Sequence, residues 1–93
     1  MIKSFKCKET EKISRRIFSN KLPPGIQKLA KRKLDHLRAA QSLVELRMIP
    51  GNRLEKLSGD RKSQYSIRIN DQWRICFYWR GDGAYNVEII DYH

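Results

Sequence analysis

Three stretches near the end of the chain, YSIRIN, WRICFYW and YNVEIIDYH, alternate apolar and polar side chains, and only the short links NDQ and RGDGA separate them. Tyr65, Ile67 and Ile69 stand against Ser66, Arg68 and Asn70; Trp73, Ile75, Phe77 and Trp79 stand against Arg74, Cys76 and Tyr78; Tyr85, Val87 and Ile89 stand against Asn86 and Glu88. A period of two sends successive side chains to opposite faces of a strand. Links this short make consecutive strands pair antiparallel. The chain is therefore committed to a sheet with one apolar face that other elements must cover.

The upstream sequence supplies the cover. LPPGIQKLAKRKLDHLRAAQSLVELR opens on Pro23 and Pro24 and repeats Ile26, Leu29, Ala30, Leu34, Leu37, Ala40 and Val44 at helical spacing, which predicts one long amphipathic helix. Lys28, Lys31, Arg32, Asp35 and Arg38 fall on its opposite side, His36 lies near that face, and Lys33 projects into the apolar stripe, where it must snorkel or meet a partner. ETEKISRRIFSNK places Ile13, Ile17 and Phe18 at helical spacing, with acids early and bases late, and reads as a shorter helix. MIKSFK alternates and suits an edge strand, while Pro50, Gly51, Gly59 and Asp60 mark a connection that holds Leu54 and Leu57 in a short strand. The expected architecture is a single α+β domain over residues 1–93. Two N-terminal helices pack on one face of a twisted, mainly antiparallel sheet of four to five strands.

Composition narrows the partners. The chain has 93 residues and a formal charge of +10, with 40% hydrophobic and 10% aromatic residues. That is enough for one core, and the excess charge favours RNA, DNA, an anionic surface or an acidic protein. No stretch approaches the ~20 apolar residues of a membrane span, and the first residues lack the apolar run of a secretory signal, so a cytoplasmic protein with no membrane partner is expected. Cys7 and Cys76 are far apart with no CxxC spacing, which suggests neither a zinc site nor a disulfide framework.

The sequence closes on Asp91, Tyr92 and His93, an acid, a phenol and an imidazole in a row. The neighbouring strands offer Arg68 and Arg74 on their polar sides, and the preceding loop offers Lys56, Arg61 and Lys62. Regular alternation puts Asp91 and His93 on the side of Val87 and Ile89, with Tyr92 on the other, so bringing all three to one target calls for a twist, a bulge or a sheet edge. This inventory suits RNA cleavage by the ribose 2′-OH without a metal: an imidazole titrating near ~6.5 moves the proton, and guanidinium groups hold the charged phosphorane. Each residue also has a plainer reading. A histidine at that position is often idle, strand arginines often form a solvated face, and Trp73 and Trp79 fit core anchors.

The segment PGNRLEKLSGDRKSQYSIRINDQWRICFYW followed by VEIIDYH resembles the HigB-type toxins of the RelE/ParE superfamily, with the order and spacing of LSGDR, YSIRIN, QWRI and DYH carrying the resemblance. The resemblance implies a small RelE-like fold and a ribosome-dependent endoribonuclease that cuts mRNA without a cofactor. It also implies a HigA-type helix-turn-helix antitoxin, with operator DNA bound only through the complex. By position, it places the catalytic histidine at His93, with Tyr92 and Asp91 beside it, and the phosphate-stabilising arginine at Arg74, assisted by Arg68 or Arg61. Some relatives have a lysine in the loop where this chain has Ser58, which leaves Lys56, Arg61 or Lys62 for that role. Lys28, Lys31, Arg32 and Arg38 are expected to dock ribosomal RNA or an acidic antitoxin segment. Two alternatives stay open: a ParE-like poison of DNA gyrase, and a basic nucleic-acid-binding module without activity.

Overall fold

The computed structural model describes residues 1–91. Its helices are α1 (Lys8–Ser14), α2 (Pro24–Ala39) and α3 (Leu43–Met48), and its strands are β1 (Glu55–Lys56), β2 (Tyr65–Arg68), β3 (Trp73–Arg80) and β4 (Gly83–Asp91). The strands form one antiparallel sheet in the order β1-β2-β3-β4. Residues 2–5 run along the outer edge of β4 through parallel bridges from Ile2 to Ala84 and from Phe5 to Val87, so the first segment does take an edge position. Arg80 pairs with Gly83 across a two-residue turn in which Gly81, at φ 60°, takes the first position.

One cluster joins the layers. Ile26, Ala30, Leu34 and Leu37 of α2 and Ile13 of α1 share a core with Ile67, Ile75, Phe77, Val87 and Ile89 of the strands. Phe77, Leu34 and Leu37 are fully buried, each contributing about 1.5–3 kcal/mol by removal from water. Trp73 and Trp79 pack half-buried against this cluster, as anchors and not as open platforms.

Both helices end sooner than their apolar spacing suggests. At the end of α1, Arg16 adopts φ 63°, the Ile17 amide reaches the Lys12 carbonyl at 2.8 Å and the Arg16 amide reaches the Ile13 carbonyl at 3.0 Å. This is a Schellman closure, and it throws Ile17 and Phe18 outward instead of along the helix. The long helix divides at Ala40, whose ψ of 136° leaves the helical region. Ser42 then caps α3 by accepting the Glu45 amide at 3.2 Å, and the Glu45 carboxylate accepts the Gln41 amide at 2.6 Å. The new helix has its own phase: Leu46 is buried, and Val44, expected on the apolar stripe, faces solvent.

Lys33 finds its partner in the connection after α3. Lys33 is 7% exposed; its ammonium donates to Asn52 Oδ1 at 2.8 Å, and Asn52 Nδ2 donates to the Leu46 carbonyl at 3.2 Å. The Asn52 carbonyl accepts the Arg68 amide at 2.6 Å, which ties this connection to β2. Burial lowers the pKa of Lys33, with Arg68 and Arg32 adding repulsion in the same direction. A lowered folded-state pKa works against folding at low and neutral pH. That cost is relieved as pH rises through the folded-state value towards 10.5.

Asn52 is fully buried, so Asn52→Ala removes the acceptor of a desolvated ammonium as well as its own bonds. A loss of about 2–4 kcal/mol is expected, read as a lower urea midpoint with an unchanged slope. Burial also pushes the Cys76 thiol up to about 11, whereas Cys7 is exposed. At pH 8 alkylation should label Cys7 and spare Cys76 until the protein is unfolded, because roughly one Cys76 in a thousand is thiolate there. Equal labelling of both in the native protein would contradict this burial.

Candidate functional site

Directly paired residues of an antiparallel sheet share a face. Arg68 lies opposite Arg74, Arg74 opposite Ile90, Ser66 opposite Cys76, and Cys76 opposite Glu88. Ile67, Ile75 and Ile89 form the alternate row in the core. The polar row therefore occupies the sheet face turned away from the helices, and it brings Arg68 and Arg74 together as the alternation expects.

Arg74 is the most firmly held of these groups. It is 8% exposed, its Nε donates to Ser66 Oγ at 2.7 Å, and its Nη2 donates to the Arg53 carbonyl at 2.6 Å, with Glu55 at 4.0 Å. Ser66 offers its hydroxyl because it sits two residues along β2 from the position opposite Arg74, on the same face. The guanidinium is thus a charge fixed in place. Arg68, at the end of β2, pairs with the Asp71 carboxylate, and that contact holds Asp71 below the usual carboxylate range.

Arg61 reaches the same face from the turn at Gly59–Arg61. Its Nη1 donates to Gln64 Oε1 at 3.2 Å and its Nη2 lies 3.5 Å from Glu88 Oε1, while Lys6 Nζ lies 3.3 Å from Glu88 Oε2. Glu88 therefore fixes two cations over β4. Cys76 lies within the fields of Arg61, Glu88 and Arg74, buried beneath them. Glu88 and Ser66 were not singled out from sequence, although both fall on the polar side of their alternations. Lys56 and Lys62 are exposed on β1 and after the turn, near the margin that carries Arg61.

A break in the pattern extends this face. The pairing shifts between Cys76 and Tyr78, and Asn86 takes φ 53°, so β4 carries an extra residue at that point. Tyr85, expected on the side of Val87, instead pairs with Tyr78 on the face of Arg74. Tyr78, Arg80, Tyr85 and Asn86 line a recess of about 430 Å³. This irregularity lies further back in the strand than the one expected at Asp91, Tyr92 and His93, the last two of which lie outside the described residues. The one visible signal is asparagine, which tolerates left-handed backbone better than most residues.

Asp91 accepts a hydrogen bond from Gln72 Nε2 at 3.0 Å and pairs with Trp73, which places it on the helix side of the sheet. Tyr92 and His93 lie outside the described residues. Lys28, Lys31, Arg32 and Arg38 are not brought to this face. They belong to α2, whose buried side packs on the other face of the sheet, and there Asp35 engages both Lys31 and Arg38. Among the described residues, no group of His, Cys, Asp and Glu is arranged to hold a metal ion.

Comparison with known proteins agrees with this architecture. The family model described as the RelE-like toxin of type II toxin-antitoxin system HigB matches residues 3–93. Toxin HigB-1 of Vibrio cholerae is 45% identical over 66 residues, covering 71% of this chain and 70% of that protein. Endoribonuclease HigB of Proteus vulgaris is 32% identical over 94 residues, covering 100% of both. With a fold of three helices on an antiparallel four-stranded sheet, the chain belongs to the HigB family of RelE-like toxins of type II toxin-antitoxin systems.

Proposed function

We propose that this toxin is an endoribonuclease that cleaves mRNA on the ribosome, with the helix-free face of its sheet as the cleavage surface. The observation that carries the reading is the convergence of Arg61, Arg68 and Arg74 on that face, in a family that includes a named endoribonuclease. Arg74 supplies fixed positive charge for the developing phosphorane, and Arg68 and Arg61 hold the flanking phosphates. Lys56 and Lys62 extend that positive margin. His93 exchanges the proton as the 2′-oxygen bonds to phosphorus and the 5′-oxygen leaves, giving a 2′,3′-cyclic phosphate and a 5′-hydroxyl. Tyr92 orients the base or sugar, and Asp91 orients its neighbours at the end of β4.

The recess at Tyr78 and Tyr85 suits a nucleobase one or two nucleotides from the cleaved bond, since aromatic stacking accepts any base. The remaining positive charge of a +10 chain draws the protein to ribosomal RNA, in a manner that weakens with salt. In its repressed state the toxin is held by a helix-turn-helix antitoxin, and operator DNA is contacted through that complex.

Inducible expression followed by mapping of mRNA 5′ ends tests the reading. His93→Ala should lower cleavage about 10²–10⁴-fold, the range for losing a proton-transfer group. Arg74→Met, which keeps the stem and removes the charge, should lower it at least tenfold. Tyr78→Ala should lower it roughly 5- to 100-fold through lost stacking. A 5′-end map unchanged in His93→Ala and Arg74→Met would reject these roles. Toxicity with intact mRNA and trapped gyrase–DNA complexes would replace cleavage with gyrase poisoning.

A further inference from the structure

The helix layer, on the other side of the sheet, carries a second concavity. Ile13, Arg16, Ile17, Phe18, Gln27 and Lys28, with Lys31 at one end, line a groove of about 430 Å³ between the end of α1 and the start of α2. Ile17 is 51% exposed and Phe18 is 59% exposed. Two adjacent large apolar side chains open to water are a common mark of a surface that meets a partner.

Their exposure is built into the fold. Gln27 Oε1 accepts the Ser19 amide at 3.0 Å, while its Nε2 donates to the carbonyls of Ser19 at 2.8 Å and Leu22 at 2.9 Å. The Ser19 hydroxyl, fully buried, donates to the Glu9 carboxylate of α1. The loop is thereby clamped to both helices, and Ile17 and Phe18 are presented by a fixed frame.

Arg16 adds a second observation. At φ 63° it occupies the left-handed position of the Schellman closure, where glycine is ordinarily used because a side chain is strained there. The arginine at that position places a cation on the lining of the groove. Among the described residues neither Arg16 nor Lys28 has an ion-pair partner, and no carboxylate lines the groove. The surface is an apolar floor between unneutralised cations.

We propose that this groove docks an amphipathic segment of the antitoxin, whose apolar side chains cover Ile13, Ile17 and Phe18 and whose carboxylates meet Arg16 and Lys28. Nucleic acid fits the floor less well, since a phosphate backbone offers nothing to bury against two aliphatic side chains and a phenyl ring. The inference rests on the chain's place in a toxin-antitoxin family and not on the assignment of the cleavage surface.

Calorimetric titration of the full chain with its cognate antitoxin tests the docking. Arg16→Gly should keep or raise the melting temperature, because it relieves the left-handed strain, while weakening antitoxin binding at least tenfold and reducing its salt dependence. Phe18→Asp should weaken binding at least a hundredfold while the antitoxin-free protein cleaves mRNA at the wild-type rate. Wild-type antitoxin affinity in either variant overturns the proposal. So does a Phe18→Asp protein that no longer sediments with ribosomes but still binds antitoxin, since the groove would then face ribosomal RNA. Should Phe18→Asp fail to fold, Arg16→Gly alone decides the matter.

Discussion

The hydrogen bond from Lys33 to Asn52 ties the helix layer to the connection that leads into the sheet. Lys33 lies in the middle of the apolar side of α2, and Asn52 lies in the connection that leads into the sheet. Through it the helix layer fixes a stretch of irregular chain whose carbonyls do further work. Asn52 receives the amide of Arg68, and Arg53, at φ 45°, receives the guanidinium of Arg74. A buried ammonium with a neutral partner is a poor source of stability compared with a well-packed methionine. What it contributes here is a defined position for a segment that has no regular structure of its own.

That position accounts for part of the order in the positive charge on the sheet face, through the Arg53 carbonyl and the Arg68 amide. Arginines placed by alternation alone would be solvated and mobile. In this chain each has an oxygen partner: Arg74 takes Ser66 and Arg53, Arg61 takes Gln64 and Glu88, and Arg68 takes Asp71. A charge arranged before the substrate arrives loses less to reorganisation when a phosphorane forms. The net charge of +10 thus divides into a few held groups and many solvated ones.

The sheet was legible in the sequence because a half-buried strand must alternate, and β2 and β3 do so without interruption. The presence of α2 was equally plain from its proline start and its 3.6-residue spacing. Three features were hidden, each where a local device overrode periodicity. The Schellman closure uses Arg16 in place of the glycine that would have announced it. The division of the long helix at Ala40 contains neither proline nor glycine, although Ser42 and Glu45 form a recognisable cap. The bulge at Asn86 reversed the direction of Tyr85, so this tyrosine was placed on the apolar side, while Tyr78 fell on the polar side as expected. Family resemblance, not pattern, gave Asp91, Tyr92 and His93 their proposed roles, because a period of two cannot turn three consecutive side chains to one place.

The extra residue in β4 has a consequence for how such a protein can diverge. Because Asn86 is inserted between Tyr85 and Val87, the side chains before it are out of step with those after it relative to the core. Losing that single residue would restore an unbroken alternation in which Tyr85, now next to Val87, still faces outward opposite Tyr78; keeping it without the bulge would turn Tyr85 inward and slip the pairing at Gly83 by one residue. The bulge thus absorbs a change in strand length without moving the side chains on either face. A one-codon deletion at Asn86 would therefore leave the outer face as it is, whereas a change that flattened the bulge at constant length would exchange the inward and outward side chains between the turn and Val87.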